Sequence, residues 1–137
     1  MAPESELPAQ VILAVNGGLM RGMKDCDRMV AAGAQFLGEA TTAPVFRMWT
    51  VKDDHPAMIR VNQGGSAIPV ELWSLSPIGL LQILRSEPFG LTLGRYPLDD
   101  GTEVIGVLGE PAYVEGQREI TEYGGWRAYV RAEGIDA

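Results

Sequence analysis

The segment Val11–Met23, which reads VILAVNGGLMRGM, decides the predicted fold. Its first half, within Ala9–Asn16, is largely apolar and β-branched, which predicts a buried strand at the centre of a sheet. This strand ends in Asn16-Gly17-Gly18. Glycines adopt unusual backbone angles at little cost and let another group approach the main chain closely. The sequence therefore predicts a central strand that ends in a bare glycine elbow.

The elbow is a candidate site for a small anion. Successive backbone N–H groups in such a bend form a concave array of donors that suits a carboxylate. The guanidinium of Arg21, if it points inward, adds a forked donor. The alternative interpretation is a tight strand-to-helix turn in which the glycines serve geometry alone. The elbow residues that we expect to contact the ligand are Asn16, Gly17, Gly18, Leu19 and Met20.

The elbow is not one of the two common phosphate-binding motifs. No Gly-Lys-Ser/Thr follows it, so it is not a P-loop, and the third glycine is misplaced for a dinucleotide fingerprint. We therefore expect no nucleotide cofactor.

Composition and charge narrow the classes of function. The chain has 137 residues, 46% hydrophobic and 21% charged, which suits one domain with a single core. We place this domain at residues 9–132, after an expected disordered lead-in of 1–8 and before a tail of 133–137. The formal net charge of −7 argues against nucleic acid as a partner. No apolar run approaches the ~20 residues that a membrane span needs.

Cellular location and metal binding follow from a few residues. The acidic N-terminal segment is unlike a secretion signal, and Cys26 is the single cysteine, so we expect a cytoplasmic protein in a reducing interior. His55 is the single histidine and argues against a histidine-rich metal site, so we expect a metal-free protein. Because His55 follows Asp53-Asp54 and precedes Pro56, the sequence predicts a solvated loop residue there.

Strands outnumber helices along the rest of the chain. The second predicted helix begins at Ser76 as N-cap and Pro77 as first helical residue. It has an apolar face built on Ile78, Leu81 and Leu84 and joined by Leu80 and Ile83. Because no strand–helix–strand alternation persists, we expect an α+β fold: a mixed, mainly antiparallel, barrel-like sheet of six or seven strands with two or three peripheral helices. The further predicted strands are 35–42, 45–51, 57–61, 68–74, 90–97 and 102–108, and the other predicted helices are 24–33 and a terminal one.

The stretch VILAVNGGLMRGM resembles the first strand and loop of the gamma-glutamylcyclotransferase-like fold family. The hallmark of that family is an aromatic-Gly-Ser-Leu loop. Here Asn16 stands in place of the aromatic residue and Gly18 in place of the serine. Further along, GAQFLGEATTAPVFRMW, IRVNQGGSAIPVELWSL and EYGGWRAYV together resemble the C-terminal domain of allophanate hydrolases, from about Val11 to Val130.

The resemblance implies a catalytic residue. The cyclotransferases of this fold use a glutamate just after the second helix as general acid and base, facing the glycine loop across a cavity. Glu87 matches that position. Partial burial would raise the pKa of Glu87 toward the working range. The alternative is that Glu87 only ends a helix in solvent.

Other polar residues are candidates for the same site. Arg60 lies between apolar residues of a predicted strand and would neutralise a bound anion, or would form a structural ion pair with Glu71, because a buried charge needs a partner. Tyr123 is a candidate for the mouth of the cavity or for a hydrogen bond to the terminal turn.

Two classes of function follow, with a third variant. The first is a small-molecule site that binds, and possibly transforms, a small anionic metabolite such as N-carboxyurea or allophanate; the resemblance implies urea metabolism, without the Ser-Ser-Lys amidase machinery of allophanate hydrolase. The second is a non-catalytic module that pairs with an amidase or with itself through Met20, Met23, Phe89 and Leu91. The third is cyclisation of the gamma-glutamylcyclotransferase type.

Overall fold

The computed structural model describes residues 8–137, so the expected lead-in lies outside the described residues except for its last one. Three α-helices and eight strands occur within this range. The helices are α1 (Cys26–Ala31), α2 (Pro77–Ser86) and α3 (Trp126–Glu133). The strands are β1 (Val11–Val15), β2 (Gln35–Thr41), β3 (Phe46–Val51), β4 (His55–Arg60), β5 (Pro69–Leu75), β6 (Leu91–Pro97), β7 (Glu103–Gly109) and β8 (Arg118–Glu119). Two short 3-10 helices span Pro111–Val114 and Thr121–Tyr123.

Strand β1 lies in the middle of a five-stranded sheet of order β2-β5-β1-β7-β6. It runs antiparallel to β5, with Leu13 opposite Trp73, and parallel to β7, with Leu13 opposite Ile105. Leu13, Ala14 and Val15 are buried, as a continuous apolar run predicts for a central strand. The glycine elbow therefore leaves the sheet at its centre.

A second sheet of order β4-β3-β8 packs beside the first. Strands β3 and β4 form a hairpin whose turn contains Lys52 and Asp53, both with positive φ. Phe46, Met48 and Met58 from this hairpin are fully buried in the core shared by the two sheets. The hairpin turn leads directly into the residues that face the elbow.

The predicted α+β class, with mainly antiparallel strands and peripheral helices, is confirmed. In the described residues, the strands form two sheets where a single barrel-like sheet was predicted. The two-residue strand β8 was not predicted from the sequence. Pro69 is the first residue of β5, which lies between β2 and β1. Proline is tolerated at the first position of a strand because the ladder hydrogen bonds begin after it.

Helix α2 begins as predicted, but only part of its predicted apolar face is buried. The Ser76 hydroxyl accepts a hydrogen bond from the Gly79 N–H at 3.0 Å, as an N-cap does. Of the predicted face, Ile83 is buried, whereas Ile78 is 71% exposed and Leu81 is 53% exposed. Gly79 is also buried. A Cβ on Gly79 would lie 2.5 Å from the Ala32 carbonyl oxygen, so the glycine lets α2 pack directly on the end of α1.

Candidate functional site

A cavity of about 350 Å³ opens where the glycine elbow approaches the end of α2. We call it the elbow cavity. Its wall comes from the end of β1 with the elbow, the start of α1, the turn before β4 and the residues that follow α2. The ionisable side chains that line it are Lys24, Asp25, Arg28, Asp54, His55 and Glu87.

The elbow glycines have neighbours too close for a side chain. A Cβ on Gly17 would lie 2.5 Å from Pro56 Cδ, and a Cβ on Gly18 would lie 2.7 Å from Asp25 Oδ2. Among the described residues, no hydrogen bond uses the N–H of Gly17, Gly18 or Leu19 as its donor. Three residues of the cavity wall therefore have a backbone N–H group without an acceptor in the described residues.

Asn16 anchors the elbow through its side chain. The side chain is buried, and its Nδ2 donates to the Val107 carbonyl oxygen of β7 at 3.1 Å. Since the amide group is engaged with β7, it fixes where the elbow leaves the sheet.

Glu87 is the C-cap residue of α2, and its side chain is only 6% exposed. Its Oε1 is buried and accepts no hydrogen bond from the described residues. Arg28 Nη1 lies 3.6 Å away from this oxygen. Burial raises the pKa of Glu87, and the charge of Arg28 offsets this only partly. The carboxyl group is therefore a buried titratable group at the cavity wall, not a solvated end of a helix.

Arg28 and Lys24 are the cations of the elbow cavity, and sequence reasoning did not select them. Arg28 Nη1 donates to both the carbonyl oxygen and the hydroxyl of Ser86 at 2.9 Å, and Nη2 lies 3.3 Å from Asp25 Oδ2. Lys24 forms an ion pair with Asp54. Lys24 lies just before α1 and Arg28 lies within it. Residues four apart face the same side of a helix, so this spacing is the sequence signal that could have indicated a shared site.

His55 lies at the cavity with both ring nitrogens engaged. Nδ1 is 2.7 Å from Asp54 Oδ2, and Nε2 is 2.8 Å from the Tyr113 hydroxyl. The ring stacks on Tyr113 with centroids 5.7 Å apart, and the side chain is 13% exposed. The prediction of a solvated loop residue is therefore wrong, because His55 begins β4 and faces the elbow.

Three residues that were predicted to contact the ligand do not line the elbow cavity: Arg21, Arg60 and Tyr123. Arg21 donates from its backbone N–H and its Nε to Glu71, and its guanidinium stacks over the ring of Phe36. Arg60 is exposed and donates to the Arg95 carbonyl oxygen, so the expected Arg60–Glu71 pair does not form. Tyr123 donates to Glu133 at 2.6 Å. Met20 is buried and lines a different cavity.

With His55 counted as neutral, the charges of the elbow cavity balance when one carboxyl group is protonated. Asp25, Asp54 and Glu87 supply three carboxyl groups, whereas Lys24 and Arg28 supply two cations. With the Glu87 carboxyl neutral, the formal charges cancel and the free elbow N–H groups remain as the local donors. The arrangement can hold a carboxylate beside a carboxylic acid that donates a proton. The described residues contain no cluster of three or more side chains suited to a metal ion.

Comparison with known proteins gives a family match over most of the chain. Residues 11–131 match the family model of the allophanate hydrolase C-terminal domain. Among proteins with curated descriptions, none matches the sequence. None of the helices in residues 8–137 is long and apolar enough to cross a membrane.

Solved structures share this fold. The uropathogenic E. coli-specific protein c4763 is 48% identical, with a TM-score of 0.87, over 89% of this chain and 96% of that chain. Allophanate hydrolase of Kluyveromyces lactis is 24% identical with a TM-score of 0.84 over 96% of this chain, which spans only 22% of that longer chain. An aig2-like protein from Mus musculus, 15% identical with a TM-score of 0.64 over 78% of this chain and 84% of that chain, shares the fold alone.

Proposed function

This chain belongs to the family of allophanate hydrolase C-terminal domains, and from that premise we propose that its elbow cavity binds a small carboxylated urea or amide compound and that Glu87 transfers a proton to it. Allophanate, which is N-carboxyurea in its ionised form, is a compound of this class. The observation that carries the proposal is the buried, unbonded Oε1 of Glu87 in the wall that also contains the free elbow N–H groups.

The binding step rests on complementary charge. The N–H groups of Gly17, Gly18 and Leu19 have no acceptor in the described residues and favour the anionic end of the ligand. Arg28 lies at the same wall and reinforces this attraction. A volume of about 350 Å³ suits a small compound, at the lower end of ordinary ligand cavities.

The proton-transfer step rests on the raised pKa of Glu87. When a carboxylated urea loses carbon dioxide, the bond between the carboxylate carbon and the nitrogen breaks, and its electron pair stays on the nitrogen. That nitrogen then needs a proton. Protonated Glu87 supplies it, becomes a carboxylate and regains a proton from solvent. Because burial raises the pKa of Glu87, a larger fraction of it is protonated near neutral pH than of an exposed glutamate.

Thermal-shift and product assays test the proposal. Allophanate should raise the melting temperature, and so should N-carbamoylglycine, a stable carboxymethyl urea that keeps the carboxylate and the urea group, while neutral biuret should not. A ligand at a hundredfold excess over its Kd adds ~2.7 kcal/mol of stability, which such an assay detects easily. Release of carbon dioxide from a carboxylated urea should depend on the protein.

Matched variants locate the effect. Glu87→Gln should abolish turnover while binding persists, because the amide keeps the shape but donates no acidic proton. Glu115→Gln, at an exposed position away from the cavity, should leave both unchanged. If the carboxylated ureas bind no better than biuret, the proposed ligand class is wrong. If a γ-glutamyl amine alone is turned over, cyclisation replaces decarboxylation as the activity of Glu87.

A second candidate function is a non-catalytic module that pairs with an amidase. The exposed apolar side chains favour it: Ile78 and Leu81 project from α2, and Phe89 is fully exposed. Met20, which we expected at such an interface, is buried and contributes nothing to it. Co-elution of the chain with an allophanate-hydrolysing amidase, lost in Ile78→Ser/Leu81→Ser, would favour this function. Co-elution that survives the double variant would show that α2 is not the contact.

A further inference from the structure

We propose that Asp25 determines which ligands the elbow cavity accepts, by taking a hydrogen bond from a urea or amide N–H group beside the bound carboxylate. This role rests on the proposed function, because it concerns the other half of the same ligand. A carboxylate that carries a urea group should therefore bind more tightly than a keto acid of the same shape, in which carbon atoms replace the N–H groups.

Asp25 lies at the wall of the elbow cavity, directly before α1. Its carboxylate oxygen Oδ2 is 3.3 Å from Arg28 Nη2 and would be 2.7 Å from a Cβ on Gly18. Because Gly18 and Arg28 line the same cavity, this oxygen lies between the elbow and the cation that attract the ligand carboxylate. The side chain of Asp25 is 33% exposed, so its carboxylate is open to a ligand.

Asp25 also has hydrogen-bonding capacity that the fold does not use. Its side chain caps no N–H group of α1, and within the described residues Arg28 is the one charged side chain paired with it. Both oxygens of Asp54, in contrast, are bonded to neighbouring side chains. Glu87 is the proposed proton donor. Since a carboxylate has about four acceptor sites, Asp25 is the carboxyl group of this cavity that can accept from a ligand N–H.

The negative charge of Asp25 makes this contact selective. A hydrogen bond to an ionised acceptor is roughly twice as strong as one between neutral groups. A methylene group in the same place would displace water from the carboxylate without replacing its hydrogen bonds. A second carboxylate there would be repelled. The cavity therefore favours a ligand with one carboxylate and an adjacent N–H group over a keto acid or a dicarboxylate.

The guanidinium of Arg28 places Asp25 and Glu87 on the same ligand. Nη2 lies 3.3 Å from Asp25 Oδ2, and Nη1 lies 3.6 Å from Glu87 Oε1. Because both nitrogens belong to one planar group, the two carboxyl groups are close enough for one small molecule to contact both. Asp25 then orients the urea group, while Glu87 holds the proton that the ligand receives.

A pair of ligands of equal shape and charge tests this role on the full chain. Levulinate has the skeleton of N-carbamoylglycine, with a methyl group for the terminal amino group and a methylene group for the inner N–H. In calorimetric titrations at one pH, where both carboxylates are ionised, N-carbamoylglycine should bind about tenfold more tightly, the effect of one hydrogen bond to a charged, partly exposed acceptor. Equal affinities would overturn the role of Asp25 alone. If neither ligand binds, the proposed function fails and this role fails with it.

Matched variants assign the preference to Asp25. Asp25→Asn should reduce it to about threefold, because a neutral acceptor forms a hydrogen bond of about half the strength, and it should not weaken the binding of levulinate. Asp27→Asn removes an exposed carboxylate of α1 outside the cavity and should leave both affinities unchanged. A preference that survives Asp25→Asn would contradict the assigned role. Equal weakening of both ligands would contradict it too, since that is what a purely structural disturbance produces.

Discussion

Glu71 is a single residue whose bonds hold three parts of the fold together. Its carboxylate, on β5 and 2% exposed, accepts from the Arg21 N–H at 2.9 Å, from Arg21 Nε at 3.2 Å and from Arg127 Nη2 at 2.7 Å. We expect Glu71→Gln to lower the free energy of unfolding by about 2–3 kcal/mol, because it removes the charge from these hydrogen bonds. Urea denaturation at neutral pH measures this. Glu39→Gln, at an exposed partner of Arg21, should change it by less than about 0.5 kcal/mol.

The same residue predicts a pH dependence. Burial raises the pKa of Glu71, but the hydrogen bonds from Arg21, Trp73 and Arg127 outweigh burial and leave it below its usual value. A carboxyl group with a lowered pKa in the folded state stabilises the protein above its unfolded-state pKa, and the benefit is lost as the pH falls through the folded-state pKa. The stability lost on acidification below about pH 4.5 should therefore be smaller in Glu71→Gln than in the wild type. Equal acid sensitivity would contradict this assignment.

The two elbow glycines should differ in their tolerance of a methyl group. The nearest atom to a Cβ on Gly17 is in the ring of Pro56, which cannot move independently, whereas on Gly18 it is the carboxylate end of Asp25, which can rotate. We expect Gly17→Ala to destabilise the protein by about 1–3 kcal/mol and Gly18→Ala by less than about 1 kcal/mol. Thermal unfolding of the two variants side by side measures the difference. Equal losses would mean that the contact with Pro56 does not control the elbow.

At the residue scale, the sequence predicted where a residue lies along the strands and helices better than it predicted where its side chain points. It placed Glu87 after α2 and the glycines after β1, and both line one cavity. It could not tell that Arg21 turns toward Glu71 while Arg28 turns toward Glu87, because that choice depends on which strand each arginine meets in the folded sheet. His55 was missed for the same reason, since its partner Tyr113 lies 58 residues away.

At the scale of elements, α2 offers a test in which helix propensity and packing oppose each other. Alanine is a better helix former than glycine by about 1 kcal/mol. A Cβ on Gly79, however, would lie 2.5 Å from the backbone oxygen of Ala32. We expect Gly79→Ala to destabilise the protein by about 1–2 kcal/mol, because overpacking outweighs propensity. Leu81→Gln, on the exposed face, should change stability by less than about 0.5 kcal/mol.

Helix α2 shows that the start of a helix can be predicted from its sequence more completely than the side that it buries. Capping by Ser76 follows from local chemistry and was predicted. The buried side was predicted only in part, because periodicity finds an apolar stripe but does not determine which part of it another helix covers. Close packing on α1 selects the side of Gly79, so Ile83 is buried while Ile78 and Leu81 are left in solvent. If Gly79→Ala proved stabilising in urea denaturation, this explanation of the exposed stripe would fail.

At the scale of the whole molecule, the elbow cavity exists only because the two sheets meet. The elbow comes from the larger sheet, His55 and Pro56 come from the hairpin of the smaller sheet, and Glu87 comes from the end of α2. The fold class could be predicted from strand and turn patterns along the chain. The set of residues that line the cavity could not be predicted, because it depends on contacts between segments that are distant in sequence.

The assembled cavity should couple anion binding to proton uptake. With Glu87 ionised and His55 counted as neutral, three carboxylates face two cations, so a bound carboxylate meets a net negative wall and raises the pKa of Glu87 further. The affinity for N-carbamoylglycine, whose carboxylate stays ionised from about pH 5.5 to 8, should therefore fall as the pH rises through the pKa of Glu87. Linkage to one proton limits the fall to about tenfold per pH unit.

Calorimetry in buffers of different ionisation enthalpy measures this uptake directly. The wild type and Glu115→Gln should take up the same fraction of a proton per ligand bound. In Glu87→Gln the uptake should vanish, and the affinity should become nearly independent of pH, because the amide is neutral throughout. Uptake that persists in Glu87→Gln would remove Glu87 from the proposed chemistry.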